Sequence, residues 1–197
     1  MWSAAILAGG KATRLNGRDK SALLVGGESI LSRQLRELAQ VTGDIIIVGG
    51  NPPRERIGTA RVVTDRIGES GPLGGLHAAL AEALGSALVV VACDMPNICA
   101  PFLSHLLTLT CEADIVVPKT ARGYHPLCAA YARACLEPVS RRLADNRLKM
   151  TGLFDDVRVR IVGTEEIAAF GDPDQLLANV NTPDEYLELE SLHGHKL

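Results

Sequence analysis

Residues 4–20 read AAILAGGKATRLNGRDK, an apolar run that ends abruptly in a glycine pair and a basic loop. The run over residues 4–8 has the length and composition of a buried strand. Glycines let backbone N–H groups approach an anion closely, and Arg14 and Lys20 add positive charge to the same loop. The stretch therefore predicts a strand followed by an anion-holding loop, although an ordinary solvated glycine turn has the same composition.

Strand and helix patterns alternate along the rest of the chain. Predicted strands cover residues 3–8, 44–48, 61–64, 87–92, 114–118, 127–131 and 157–162. Predicted helices cover residues 29–41, 75–84, 101–109, 136–145 and 183–189, with Gly85 as a helix C-cap. Uninterrupted apolar strands are typical of a parallel sheet covered on both faces. The alternation predicts an α/β fold, a three-layer α/β/α sandwich around a Rossmann-like, mostly parallel sheet.

Length and composition limit the classes of function. The 197 residues suit one domain, expected over residues 1–190, with residues 191–197 as a frayed tail. Lys and Arg number 20 against 23 Asp and Glu, a net charge of −3, so no global basic field for nucleic acid exists. Aromatic residues make up only 4%, which argues against a surface that stacks bases. Any phosphate must be held locally.

The five cysteines indicate a reducing compartment. No Cys-x-x-Cys pair occurs, so a structural zinc site is not expected. No apolar run has the length of a membrane span, and the first residues lack a secretory leader pattern. We therefore expect free thiols, a cytoplasmic location and no membrane association.

Polar residues follow the predicted strands at the end where α/β sheets bind ligands. Asp65 follows the third strand, and Asp94 lies in CDMP, residues 93–96, after the fourth. One or two carboxylates at such a place suffice for Mg²⁺ that also binds substrate phosphates. The alternative for Asp94 is a turn residue that accepts hydrogen bonds from backbone N–H groups.

A last polar segment reads NVNTP, residues 179–183. If it is extended, Asn179 and Asn181 point to the same side and can face a ligand. The alternative is that Asn181 or Thr182 caps the final helix, and both roles are compatible.

These motifs resemble a known family as a set. LAGG over residues 7–10, followed by Arg14 and Asp19-Lys20, resembles the signature loop of molybdenum cofactor guanylyltransferases, which are nucleotidyltransferases. The family's later motifs are matched in order by GPLGGL (71–76), CDMP (93–96), GYHPL (123–127) and NVNTP (179–183). The resemblance spans residues 4–190. The chain departs from the family's usual Arg-Met-Gly-Gly at residues 14–17, which read RLNG.

The resemblance implies a nucleotide-diphospho-sugar transferase fold and an enzyme that needs Mg²⁺. Its reaction would transfer GMP from GTP to the terminal phosphate of molybdopterin or Mo-molybdopterin and release pyrophosphate. By motif match, the GTP-binding residues would be Leu7, Ala8, Gly9, Gly10, Lys20, Asp65 and Asp94. The metal ligands would be Asp94 and Asn181, and the catalytic residues Arg14, Lys20 and Asp94.

The molybdopterin side is less clearly marked. Candidates for contacting its phosphate are Arg122, His125 and Asn179, with Arg147 and Lys149 as a second basic pair. The alternative for that pair is a solvated helix end, where cations interact favourably with the helix dipole. Proteins that deliver the labile pterin, or that mature molybdoenzymes, are further candidate partners.

Other functions compete with this one. A cytidylyltransferase acting on the same cofactor tends to have Ala at the position of Gly10, so Gly10 favours GTP. A sugar-nucleotide pyrophosphorylase needs a sugar-recognition region for which 197 residues leave little room. A non-catalytic GTP-binding adaptor of the same fold would not need Lys20, Asp94 and Asn181 together.

Overall fold

The structure is a computed structural model that describes residues 1–8, 14–15, 18–19, 24–25, 27–49, 60–64 and 70–180, with the backbone alone at 14–15 and 18–19. The strands are β1 (Trp2–Leu7), β2 (Arg14–Leu15), β3 (Arg18–Asp19), β4 (Leu24–Val25), β5 (Glu28–Ser29), β6 (Ile45–Val48), β7 (Arg61–Val63), β8 (Ala87–Ala92), β9 (Ile115–Thr120), β10 (Gly123–Tyr124), β11 (Cys128–Ala132) and β12 (Val159–Val162). The α-helices are α1 (Ile30–Ala39), α2 (Gly71–Glu82), α3 (Ala100–Thr108), α4 (Leu136–Ala144), α5 (Thr164–Ala168) and α6 (Pro173–Leu176). Shorter 3-10 helices cover Leu109–Cys111, Arg133–Cys135 and Met150–Asp155.

Within the described residues, eight strands form one sheet in the order β7-β6-β1-β8-β11-β9, with β10 and β12 both paired to β9. Strands β1, β6, β7 and β8 are mutually parallel, and β12 is parallel to β9. β11 runs antiparallel to both β8 and β9. A short connection through β10 joins β9 to β11, whereas a parallel pair would need a longer crossover, usually a helix. The predicted mostly parallel sheet is confirmed.

Each face of the sheet carries its own core. On β1, Ala4 and Ile6 pack with α1 and α3, whereas Ala5 and Leu7 pack with α2 and α4. All six residues of β8 are buried, as its unbroken apolar sequence predicts. The three predicted layers follow directly from this alternation of side chains. None of the helices in the described ranges has the length and apolar character that crossing a bilayer requires.

Two details of α2 differ from the prediction. The helix begins at Gly71, four residues early, because Gly71 adopts a φ of 59° and Pro72 suits a first turn. Gly85 is not its C-cap, since the helix ends at Glu82 and Ala83 is already extended. A Cβ on Gly85 would lie 2.6 Å from the carbonyl carbon of Trp2, so glycine is needed for close approach to β1.

The edge of the sheet where the parallel strands begin is closed by Asp44. The residue is 4% exposed, and its carboxylate accepts hydrogen bonds from Ser3 Oγ (2.5 Å), the Leu84 amide (2.9 Å) and Arg61 Nη2 (2.7 Å). Burial alone would raise the pKa of Asp44, but these three donors outweigh it and lower the pKa below its ordinary value. We call the edge where the parallel strands begin the N-terminal edge of the sheet, and the edge where they end the C-terminal edge.

Candidate active site

Strand β1 reaches the opposite, C-terminal edge between two parallel neighbours. Ala8 donates its amide to the Val48 carbonyl at 2.9 Å, and the Cys93 amide donates to the Leu7 carbonyl at 3.2 Å. Backbone pairing therefore holds the chain on both sides up to residue 8, where the predicted basic loop begins. Leu7 and Ala8, both predicted to line the nucleotide, lie at this edge and pack toward opposite faces of the sheet.

Helix α2 approaches Leu7 closely. A Cβ placed on Gly75 would lie 3.4 Å from Leu7 Cδ2, an ordinary contact distance, so this part of the helix backbone faces the Leu7 side chain. Gly75 belongs to GPLGGL, and the structure places this motif beside the end of β1. Two of the motifs that carry the family resemblance are thus in contact.

Asp94 lies in a tight turn directly after β8. The Met95 amide donates to the Ala92 carbonyl at 3.3 Å and closes the turn, and the Asp94 side chain is half-buried. Asn179 Nδ2 donates to Asp94 Oδ1 at 3.2 Å, and the Val180 amide donates to the Asp94 carbonyl at 2.8 Å. The structure therefore brings together Asp94 and Asn179, which lie 85 residues apart in the chain.

A residue that the sequence analysis did not single out holds the same turn. Gln34 of α1 is fully buried, and its Nε2 donates to the carbonyls of Ala92 (2.7 Å) and Met95 (2.9 Å). Its burial could have been found from the periodicity of α1, because residue 34 follows Leu31 by three and precedes Leu38 by four on the apolar stripe of the helix.

His125 lies at the C-terminal edge, two residues before Leu127, whose carbonyl accepts the Ala92 amide at 2.8 Å. Its Nε2 lies 2.9 Å from Thr120 Oγ1, and its amide donates to the Pro118 carbonyl. Burial, and secondarily the Arg122 charge, lower the pKa of His125 below its ordinary value. The ring is therefore neutral at physiological pH.

The remaining basic candidates are exposed. Arg122 Nε lies 3.5 Å from Asp174 Oδ1, an ion pair that joins the β9–β10 turn to α6. Arg147 and Lys149 lie in the segment between α4 and the 3-10 helix Met150–Asp155. β11 ends at the N-terminal edge, where Ala132 pairs with Ala87, and α4 follows from there. Their proximity to substrate stays a prediction.

Several predicted site residues lie outside the described residues. They are Gly9, Gly10, Lys20, Asp65 and Asn181. For Arg14 the structure gives only the backbone, which pairs with Asp19 in the short β2–β3 ladder. The roles predicted for these residues remain predictions.

The chemistry of this edge fits a hard divalent cation. Asp94 supplies a carboxylate and Asn179 an amide beside it, and Mg²⁺ uses one or two carboxylates together with substrate phosphates and water. In the described part of the chain, no group of three or more His, Cys, Asp or Glu is placed to hold a metal ion without substrate.

All five cysteines have free thiols, as predicted. Burial raises the pKa of Cys128 and that of Cys135 to about 12. These two thiols stay protonated and pack in the core, which agrees with a structural role.

Comparison with known proteins gives the family. The model of the MobA-like NTP transferase domain matches residues 4–156. The chain belongs to this family. It is 36% identical over 184 residues, 93% of the chain and 89% of the relative, to "Probable molybdenum cofactor guanylyltransferase" of Pelotomaculum thermopropionicum. It is 32% identical over 189 residues to the molybdenum cofactor guanylyltransferase of Desulfosudis oleivorans, covering 94% and 93% of the two chains.

Solved structures confirm the predicted fold. Molybdopterin-guanine dinucleotide biosynthesis protein A of Archaeoglobus fulgidus superposes with a TM-score of 0.82 at 24% identity, covering 98% of this chain and 99% of that one. The 2-C-methyl-D-erythritol 4-phosphate cytidylyltransferase of Thermus thermophilus gives 0.72 at 15% identity, with 98% and 100% covered. The sheet and its layers are therefore those of nucleotidyltransferases of the nucleotide-diphospho-sugar transferase type.

Proposed function

We propose that this protein transfers GMP from GTP to the terminal phosphate of molybdopterin, or of Mo-molybdopterin, and releases pyrophosphate. The observation that carries the proposal is the Asp94 turn with Asn179 docked on it, at the C-terminal edge of the sheet. Family membership supports it, because relatives matched along nearly their whole length are named molybdenum cofactor guanylyltransferases.

The reaction needs charge neutralisation more than it needs a base. A phosphate oxygen of molybdopterin attacks the α-phosphorus of GTP, a new P–O bond forms, and the bond to the β-phosphate oxygen breaks. The attacking phosphate is already anionic at neutral pH, so no proton must be removed from it. Catalysis then depends on positioning two anions and on stabilising the leaving pyrophosphate.

Asp94 would hold the divalent cation that this class of enzyme uses, with Mg²⁺ as the proposed ion and Asn181 as a second ligand. Mg²⁺ bound there would lower the repulsion between phosphate oxygens. Asn179 would orient the Asp94 carboxylate through its 3.2 Å hydrogen bond. This contact would restrict the Asp94 side chain to the conformation that faces the metal.

The nucleotide would lie across the end of β1. Leu7 and Ala8 are held there by β6 and β8 and would form the floor under the guanosine. Gly9 and Gly10 would present backbone N–H groups to the phosphates. Arg14 and Lys20 would neutralise the leaving pyrophosphate, and Asp65 would contact the nucleotide.

Molybdopterin would enter from the β9–β11 side of the same edge. His125 is neutral and half-buried there, so its ring suits hydrogen bonding to the pterin phosphate. Arg122 would supply charge, and Asn179 would reach the phosphate from the Asp94 side. Arg147 and Lys149 would extend the positive surface beyond α4.

The test is pyrophosphate release by purified protein with Mg²⁺, molybdopterin and, in turn, GTP, CTP or ATP. Release that requires both GTP and molybdopterin is the expected result. Selectivity for CTP would retain the mechanism and change the product to the cytosine dinucleotide. GTP binding without release, under conditions where an established guanylyltransferase works, would favour the non-catalytic adaptor.

A further inference from the structure

Gln34 is buried where an apolar residue is expected. Its exposure is 0%, and its neighbours on the same stripe of α1 are Leu31, Leu35 and Leu38, all packed in the core. Burying an amide side chain lowers stability unless its polar atoms are hydrogen-bonded. Its Oε1 has no hydrogen-bond partner within the described residues, so a simple stabilising role does not explain why Gln occupies this position.

The two donors of Gln34 act on opposite ends of one turn. Nε2 donates to the Ala92 carbonyl at 2.7 Å and to the Met95 carbonyl at 2.9 Å, and Asp94 lies between these residues. The Ala92 carbonyl also closes the turn through the Met95 amide. Both ends of the segment that carries Asp94 are therefore fixed to one side chain of α1.

Helix α1 is itself held by contacts with two other segments. Arg33 Nη1 donates to the Val25 carbonyl in β4 at 3.2 Å. Glu37 Oε2 accepts the Ala100 amide at 3.0 Å at the start of α3. These contacts hold α1 in place, so Gln34 can fix the position of the Asp94 turn relative to the helix.

We propose that Gln34 is a positioning residue that sets the place of the Asp94 carboxylate for divalent-cation binding. The inference rests on the proposed function, in which Asp94 holds the cation. Gln34 acts through the backbone carbonyls on either side of the turn and touches neither nucleotide nor metal. Partners of this kind behind a metal ligand commonly change metal affinity by 10- to 100-fold.

The test is Mn²⁺ binding in the presence of GTP and the absence of molybdopterin, followed by the electron paramagnetic resonance signal of free Mn²⁺. The variant Gln34→Met keeps the side-chain length and removes both donors. Leu38→Met is the matched control, since it introduces the same residue one turn along the same buried stripe. We expect Gln34→Met to weaken Mn²⁺ binding about tenfold and Leu38→Met to leave it unchanged.

A second readout separates positioning from stability. In the pyrophosphate assay, Gln34→Met is expected to need about tenfold more Mg²⁺ for half-maximal rate, and saturating Mg²⁺ should restore most of kcat. Equal Mn²⁺ affinity in wild type and Gln34→Met would overturn the inference alone. Failure of the wild type to bind Mn²⁺ with GTP would overturn the proposed function and this inference with it.

If Gln34→Met does not fold, Gln34→Asn replaces it. That change keeps the amide but shortens its reach by one methylene group, so the donors no longer reach both carbonyls. The same weakening of Mn²⁺ binding is expected, and wild-type affinity in a folded Gln34→Asn protein would overturn the inference.

Discussion

Asp44 and Asp94 lie at opposite edges of one sheet and serve opposite purposes. Asp44 is 4% exposed and surrounded by donors from Ser3, Arg61 and the Leu84 amide, all supplied by the fold. Asp94 is half-buried in a turn, and its side chain accepts a hydrogen bond from Asn179, which belongs to a segment that carries a family motif. The same type of side chain is paired inside the fold at one edge and, in the proposed function, would face substrate at the other.

The difference follows from where parallel strands begin and end. At the N-terminal edge, connections from helices return to the sheet and can be packed tightly, as Gly85 is against Trp2. At the C-terminal edge, the chain leaves the strands in loops that can be shaped for a ligand without disturbing the core. The account therefore predicts that matched changes at the two edges have separable effects on stability and activity.

The largest effect is expected from Asp94→Asn. The change keeps an oxygen that can accept from Asn179 but removes the charge that would hold the cation, so turnover should fall about 10²–10³-fold. The free energy of unfolding should change by less than about 1 kcal/mol. Pyrophosphate release and urea unfolding measure the two quantities, and near-normal turnover would remove Asp94 from the mechanism.

The same substitution at the other edge, Asp44→Asn, should do the reverse. It removes a buried charge that accepts hydrogen bonds from Ser3, the Leu84 amide and the partly exposed Arg61, and the free energy of unfolding should fall by about 2 kcal/mol. The folded fraction should keep the wild-type kcat, because no step uses this edge. A loss of kcat at unchanged stability would show that the two edges are not independent.

Gly85→Ala sharpens the comparison through packing alone. Its Cβ would meet the backbone of residues 1–3 at 2.6–2.8 Å, an overlap that should lower the free energy of unfolding by about 2 kcal/mol. Gly43→Ala is the control, because a Cβ there meets nothing within 4 Å and should change stability by less than about 0.5 kcal/mol. Thermal unfolding of both variants is the measurement, and equal melting temperatures would refute the close contact.

Acid should lower the free energy of unfolding through groups at the two edges in different pH ranges. Near neutrality we expect this to be the smallest of the predicted effects. Burial and Arg122 lower the pKa of His125 from its ordinary value of 6.5, against an opposing effect of Asp174. As the pH falls, His125 is therefore protonated in the unfolded chain at a higher pH than in the folded protein. The stability from His125 is present above pH 6.5 and is lost as the pH falls through the lowered pKa.

The contribution of Asp44 is lost only in stronger acid. Its folded pKa lies below the ordinary value of 3.8, so its stabilising effect is present above that pH and disappears as the pH falls through the lowered pKa.

Urea unfolding at pH 7.5 and 5.5 should show a loss of stability in wild type that is smaller in His125→Gln. Equal losses in both proteins would contradict the assignment to His125.

The sheet could be predicted because its strands are unbroken apolar runs. Strand β8 has the predicted bounds, Ala87–Ala92, since all six side chains are buried and the pattern has no polar interruption. The place of Asp94 at the C-terminal edge could also be predicted, because this residue follows a buried parallel strand. Asn179 follows α6, and its sequence indicated only that it can face a ligand, so its contact with Asp94 comes from the structure.

Other features depend on tertiary contacts that leave no local pattern. Gly85 looks like a helix C-cap in sequence, but its requirement comes from β1, more than 80 residues away in the chain. Helices α5 and α6 have five and four residues, too few to show a helical period. Gln34 lies on the apolar stripe of α1, so periodicity predicts its burial, but only the positions of the Ala92 and Met95 carbonyls explain why the buried residue is an amide.

The most direct test of the central claim follows the phosphorus atoms of GTP. Protein, Mg²⁺ and molybdopterin are incubated with GTP labelled in the α- or the γ-phosphate, with Asp94→Asn and Asp44→Asn run in parallel. The account predicts α-label in the guanine dinucleotide and γ-label in pyrophosphate, in equal amounts, for wild type and Asp44→Asn but not for Asp94→Asn. Label that stays in GTP, or α-label released as free GMP or GDP, would contradict it.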